Sequence, residues 1–265
     1  MDASFWLKLV VSFFVGSLWV TLSTVSAERF GSKVGGLIGA FPSTVVITLL
    51  FIGFTQSPLV ATQATTVMPL AQGLNGLFVL TFMVLIHRGF WQGLFGALGV
   101  WLVQSLFLYV LNIRAFWISI LGWLSLLCFC YWYLEKQIKV TSQGRVQVAY
   151  TPAQIIWRAL FGGVVIAWAV LMGKLGGPLL GGIFGSFPAM FLSNLIITYR
   201  SGGLEFSRSV GKSLLISGTI NVPLYEIEVR LLYPLIGLGF GTMIALMFTL
   251  LTTYLTFLFM KSYMR

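Results

Sequence analysis

Gly31 to Ser43 reads GSKVGGLIGAFPS, and 146 positions later Gly177 to Ala189 reads GPLLGGIFGSFPA. The chain therefore carries one unit twice. In the first copy small residues fall four apart at Gly31, Gly35, Gly39 and Ser43, and in the second at Gly177, Gly181, Gly185 and Ala189. That spacing places them on one helix face. A face without side chains lets a second backbone approach closely, which is how helices associate in lipid. Pro42 and Pro188 then interrupt the helix. Each lacks an N–H and crowds the carbonyl four residues earlier, so the carbonyls of Ile38 and Phe184 are expected to be free for another partner.

Composition fixes the solvent. Of 265 residues, 58% are hydrophobic and 8% charged, and the mean hydropathy is +0.97, values that exclude an ordinary water-soluble domain. The chain reads as an integral membrane protein. Its formal charge of +10 does not indicate nucleic-acid binding, because the basic residues sit in short breaks between apolar runs and set orientation instead. Cys128 and Cys130 lie within an apolar run and read as packing residues.

Nine spans are expected. The first runs from about Phe5 to Ser26; it is too long, and too poor in leading basic residues, for a signal peptide. Spans two and three cover about Val34–Phe54 and Leu59–Ile86, and the polar start of the third, TQATTVMPLAQGLN, predicts an interruption at membrane depth. The apolar run Phe90–Leu134 is more than twice the roughly 20 residues that cross a bilayer, so it holds spans four and five, divided at Asn112 and Arg114. After a polar linker, Glu135 to Thr151, come spans six to nine, about Ile155–Met172, Pro178–Tyr199, Phe206–Tyr225 and Leu231–Met260. Glu226, Glu228 and Arg230 fall in the outer turn before the last span, which leaves no Asp or Glu well inside any span.

Charge placement orients this arrangement. With nine spans, one side receives Arg29, Lys33, Arg88, Lys136, Lys139, Arg145, Arg158, Arg200, Arg208, Lys212, Lys261 and Arg265, and the other only Lys8, Arg114, Lys174 and Arg230. Positive residues collect on the cytoplasmic side, so the amino terminus is expected outside and the carboxyl terminus inside, in the plasma (inner) membrane of a prokaryote. Four spans per copy and one between them make the second copy enter the membrane inverted. The expectation is an all-α polytopic membrane protein with an inverted 4+1+4 repeat: residues 1–113, a connecting helix and cytoplasmic linker 114–150, and residues 151–265.

Inverted repeats with broken helices are the build of secondary transporters, whose sites lie near the bilayer midplane. Both prolines fall about 14 Å into their spans at 1.5 Å per residue, near the centre of a core roughly 30 Å thick. Candidate binding residues around the breaks are Pro42, Ser43, Thr44, Thr66, Gln72 and Asn75 from the first copy, and Pro188, Ser193, Asn194, Ser217 and Asn221 from the second. A lone hydroxyl commonly bonds back to its own helix. The amides of Gln72, Asn75, Asn194 and Asn221 cannot be hidden so cheaply and are the strongest candidates. Arg208 and Lys212, four apart, could attract an anion or serve as snorkelling anchors.

With one histidine, His87, and no pair of carboxylates or metal-ligand spacing, the chain does not read as an enzyme, and no catalytic residue, metal or cofactor is expected. The expected function is movement of a small polar or ionic solute by alternating access, with the coupling ion unspecified. A passive ion or solute channel is the main alternative; a lipid flippase and a structural membrane subunit are others. The expected partners are the bilayer and the solute, and the sequence is compatible with homo-oligomerisation.

The segments SKVGGLIGAFPSTVVITLLFIG and GGIFGSFPAMFLSNLIITYRSGGLEFSR resemble the GlpM family of small four-span bacterial membrane proteins in their basic turn, glycines, Phe-Pro pair and following polar turn. The resemblance implies a tandem fusion of two such units. It supplies no biochemical role and no binding residues, and the fifth span departs from the family's four-span pattern.

Overall fold

Every element is helical in the computed structural model, which describes residues 2–29, 41–138, 140 and 151–263. The helices are α1 (Ala3–Arg29), α2 (Ser43–Thr55), α3 (Pro58–Ala64), α4 (Met68–Leu85), α5 (Phe90–Leu111), α6 (Phe116–Tyr133), α7 (Pro152–Gly185) and α8 (Ala189–Tyr263). Their ends follow local chemistry. Thr151 and Gln154 form a reciprocal capping box at the start of α7, with Pro152 in the first turn, where its missing N–H costs nothing. Asn112 closes α5 in the left-handed conformation.

The two long helices are bent at glycines. Gly177, Gly203 and Gly237 have φ of 76°, 75° and 78°, a conformation that side-chain-bearing residues rarely adopt. Together with the break at Ser186–Pro188 they divide this part of the chain into segments 152–176, 178–185, 189–202, 204–236 and 238–263. Two sequence expectations are corrected here. Gly177 is a hinge and not a member of a packing stripe. The turn expected at Glu226–Arg230 is helical, because the chain reverses only at Gly237. Gly31, Gly35 and Gly39 lie outside the described residues.

Large apolar side chains point outward: Trp117, Val110, Trp157, Leu235, Phe240 and Phe95 are all exposed. Gln72, Asn75, Asn221 and Glu226 are buried. Water would penalise that distribution and lipid favours it. Helical stretches long and apolar enough to cross a membrane begin at Ala3, Met68, Phe90, Phe116 and Pro152. The chain is thus an all-helical protein with the character of a membrane protein. α4 lies at its centre, packed against α5, α6 and α8.

Helix α1 packs along α7, and the contacts run in opposite directions. Lys174 Nζ lies 5.9 Å from the Phe5 ring centre; further along, Gly16 faces Ile166 and Gly162 faces Val20. The last two contacts are reciprocal. Under the 146-residue shift Gly16 becomes Gly162 and Val20 becomes Ile166, and a Cβ added at Gly16 would lie 2.6 Å from Ile166 Cδ1, one at Gly162 2.7 Å from Val20 Cγ2. Gly181 and Gly185 of the second-copy stripe, with the neighbouring Gly182, do work as close packing. Gly181 meets the backbone of Gly173, Gly182 abuts the Ala64 carbonyl, and Gly185 touches Thr48.

Candidate functional site

Each Phe-Pro pair ends in the same backbone turn. Ser43 N–H donates to the Phe41 carbonyl and Ala189 N–H to the Phe187 carbonyl, both at 2.7 Å. Pro42 has φ −74° and ψ 46°, close to an inverse γ-turn. The first regular helical bonds follow at Val46 to Pro42 and Leu192 to Pro188. The amides of Thr44, Val45, Met190 and Phe191 therefore lie in first turns, where no carbonyl of their own helix can reach them.

The two turns meet. A cavity of about 30 Å³ is lined by Phe41, Pro42, Thr44 and Val45 from one break and by Phe187, Pro188, Ala189, Met190 and Phe191 from the other, with Gln72 of α4 and Val222 of α8. Phe41, Pro42, Thr44 and Val45 become Phe187, Pro188, Met190 and Phe191 under the 146-residue shift; of the residues from the two breaks, Ala189 alone lines the wall without its equivalent, Ser43. The space suits about one water molecule or a small ion. Along segment 204–236 Val222 lies about 15 Å from Lys212 and about 12 Å from Arg230, at 1.5 Å per residue.

Of the residues expected at the site, Pro42, Thr44, Gln72 and Pro188 line this cavity, and Ser43 adjoins it, buried. Asn75 stands one bond away, donating to Gln72 Oε1 at 2.9 Å and to the Ser186 carbonyl at 2.7 Å. The others are elsewhere. Ser193 and Ser217 bond back to the carbonyls of Met190 and Ser213 on their own helix. Asn221 accepts from Thr256. Asn194 accepts from Arg158 Nη1 at 2.6 Å. Thr66, with the Thr62 carbonyl, accepts from Arg230 at the interruption 65–67 between α3 and α4, which falls inside the polar run TQATTVMPLAQGLN where an interruption is expected.

Two further expectations change. The Phe184 carbonyl is taken by the Phe187 N–H and is not left free, and the cavity is lined by residues of both Phe-Pro turns and the first turns after them. Arg208 and Lys212 do not form an open anion-attracting pair. Arg208 is paired with Glu205 at 3.1 Å and Lys212 with Glu135 at 2.9 Å, and Lys212 also donates to the Val140 carbonyl, which docks that part of the linker on α8.

Sequence reasoning missed two charged residues. Arg158 is buried and reaches Asn194 and the sulfur of Met190, a cavity wall. Glu226 is fully buried and accepts from Gln72 Nε2 at 3.3 Å. A signal for Glu226 was present: Val222, Tyr225, Glu226, Val229 and Tyr233 recur at helical spacing, and all five are buried.

Residues 9–114 match a protein family described as "Protein of unknown function (DUF3147)". No curated protein and no solved structure matches the chain.

Proposed function

We propose that the chain is a transporter moving a small polar or ionic solute by alternating access, built as nine spans in an inverted 4+1+4 repeat, with the solute held at mid-membrane in the cavity between the Pro42 and Pro188 breaks. The observation that carries this reading is the cavity wall, to which equivalent residues of both copies contribute. Reciprocal contacts are the mark of a two-fold relation. Because the equivalent helices α1 and α7 run antiparallel, the axis would lie in the membrane plane, and that geometry makes outward-open and inward-open states near-equivalent. Two helix amino-terminal ends directed at one point favour an anion or the negative end of a polar solute. A fused pair of GlpM-like units accounts for the repeat, and the family match over 9–114 falls almost wholly within the first unit, 1–113. The same reading places Met1 outside and Arg265 inside a prokaryotic plasma membrane.

A thermal-shift screen of the purified chain against inorganic ions, carboxylates, amino acids and phosphorylated metabolites tests it, followed by uptake of each hit into proteoliposomes. A ligand at 100 times its dissociation constant stabilises by about 2.7 kcal/mol. Uptake that saturates and exchanges across the membrane is the expected result. Ohmic conductance in planar bilayers, at rates no carrier cycle reaches, would replace the carrier with a channel.

A further inference from the structure

Glu226 is a carboxyl group set inside the bundle with no countercharge among the described residues. It is fully buried, Oε1 accepts from Gln72 Nε2, and Oε2 has no hydrogen-bond partner among the described residues. Of the helices packed against α8, α2, α3, α4 and α6 contain no Asp, Glu, Lys, Arg or His, and their only titratable side chains are Cys128, Cys130, Tyr131 and Tyr133 on α6; α7 carries Arg158, bonded to Asn194, and Lys174, which lies by the Phe5 ring. Segment 238–263 contributes Tyr254, Lys261 and Tyr263, the nearest of them 17 residues past Gly237. On its own helix Tyr225 and Tyr233 share the buried face. Glu228 is directed at Thr249. Arg230, one turn on, is engaged elsewhere, with Nη1 on the Thr62 carbonyl and the Thr66 hydroxyl and its guanidinium 4.3 Å from the Phe116 ring centre.

An ionised carboxylate in that position would be paired with nothing but an amide, and burial of a charge on those terms is prohibitive. A neutral carboxylic acid is not. Its partner Gln72 lines the cavity, and Gln72 is tied through Asn75 to the Ser186 carbonyl at the second break. One chain of hydrogen bonds, through Gln72 and Asn75 of the first copy, thus joins the carboxyl group to the cavity and to the break at Ser186 in its own copy.

Resting on the transport reading above, we propose that Glu226 is a proton-binding site of the transport cycle. In the state described here it holds a proton, sealed from both aqueous phases. When the bundle opens, water reaches the carboxyl and the proton leaves to it, so that cavity occupancy and protonation are linked through Gln72. The step is a proton transfer between a carboxyl oxygen and water and requires no other reactant.

The test is infrared difference spectroscopy of the reconstituted full-length chain across pH, comparing the parent with E226Q and Q72L. The parent should show an unionised carboxyl stretch that persists where exposed carboxyls have ionised. E226Q should lose that band, and Q72L should displace it, because the amide that donates to the carboxyl is gone. If E226Q does not fold, the displacement in Q72L still assigns the band. Spectra of all folded variants that coincide at every pH would overturn the proposal. The band is read without any transported solute, so its absence would leave the transport reading standing, and failure of every uptake assay would leave the band unaffected.

Discussion

Replacement of Gly163 by alanine probes the crossing of α1 and α7. A Cβ there would lie 2.2 Å from Ser17 Oγ and 2.8 Å from the Phe13 carbonyl oxygen. The serine hydroxyl can rotate away, but the carbonyl belongs to the α1 backbone, and ordinary C···O contacts begin at about 3.3 Å. Helix α1 must therefore retreat by roughly half an ångström along a packed interface. Overpacking of this kind costs about 1–3 kcal/mol, and alanine recovers about 0.5–1 kcal/mol of helix entropy. The net loss should be roughly 0.5–2 kcal/mol, or a fall of about 1–8 °C in the melting temperature for a chain of this size. Gly99 and Gly239 supply the control, since a Cβ at either meets nothing within 4 Å; their alanine variants should melt no lower than the parent. Gly16→Ala and Gly162→Ala should cost the same as each other, because their contacts are reciprocal. The assay is thermal unfolding in one detergent. If G163A melts like the parent, or G99A falls as far as G163A, the crossing is misplaced.

Asn194→Leu removes the acceptor of Arg158 Nη1, so it should destabilise by about 1–3 kcal/mol, and the double variant R158M/N194L should cost less than the sum of the two singles in a thermal double-mutant cycle. Arg230→Gln gives up bonds to the Thr62 carbonyl and the Thr66 hydroxyl and the contact with Phe116, and should lower the melting temperature by an amount equivalent to about 1–3 kcal/mol. Pro42→Ala and Pro188→Ala, equivalent positions of one cavity, should weaken uptake to similar extents; loss in one variant alone would mean that the copies do not share the site. Cysteines introduced at Ala3 and Tyr263 should react with a membrane-impermeant reagent from opposite faces, and labelling of both from one face would remove the odd number of spans.

The features legible in the sequence are those that a residue type enforces locally. Pro188 ends one helix and Pro42 starts another wherever the chain runs, and the Gln- and Thr-rich run before Pro69 cannot form an unbroken apolar helix, so the break at 65–67 could be anticipated. The meeting of the two Phe-Pro turns was legible only because the copies are nearly identical there. The hinges were not. Gly177, Gly203 and Gly237 look like any of the 29 glycines in the chain, and no local spacing marks which of them take a positive φ. The partners of the buried amides were illegible for a related reason: Arg158 and Asn194 are 36 residues apart, and nothing in either neighbourhood encodes the pairing. Glu226 misled because a Glu-Ile-Glu-Val-Arg stretch has the composition of a loop, while its helical periodicity, with alternate charges facing different partners, shows only when the apolar residues on both sides are counted with it.

The central claim, a mid-membrane site open alternately to each side, is tested most directly at its walls. Thr44 and Met190 are equivalent cavity residues on the two copies. With Cys128 and Cys130 replaced by serine, single cysteines at these two positions should each react with a membrane-impermeant thiol reagent, applied from either face of oriented vesicles, and a bound solute should slow all four reactions. Labelling of both positions from the same single face under every condition would contradict the claim, because a site that never changes sides cannot belong to a carrier.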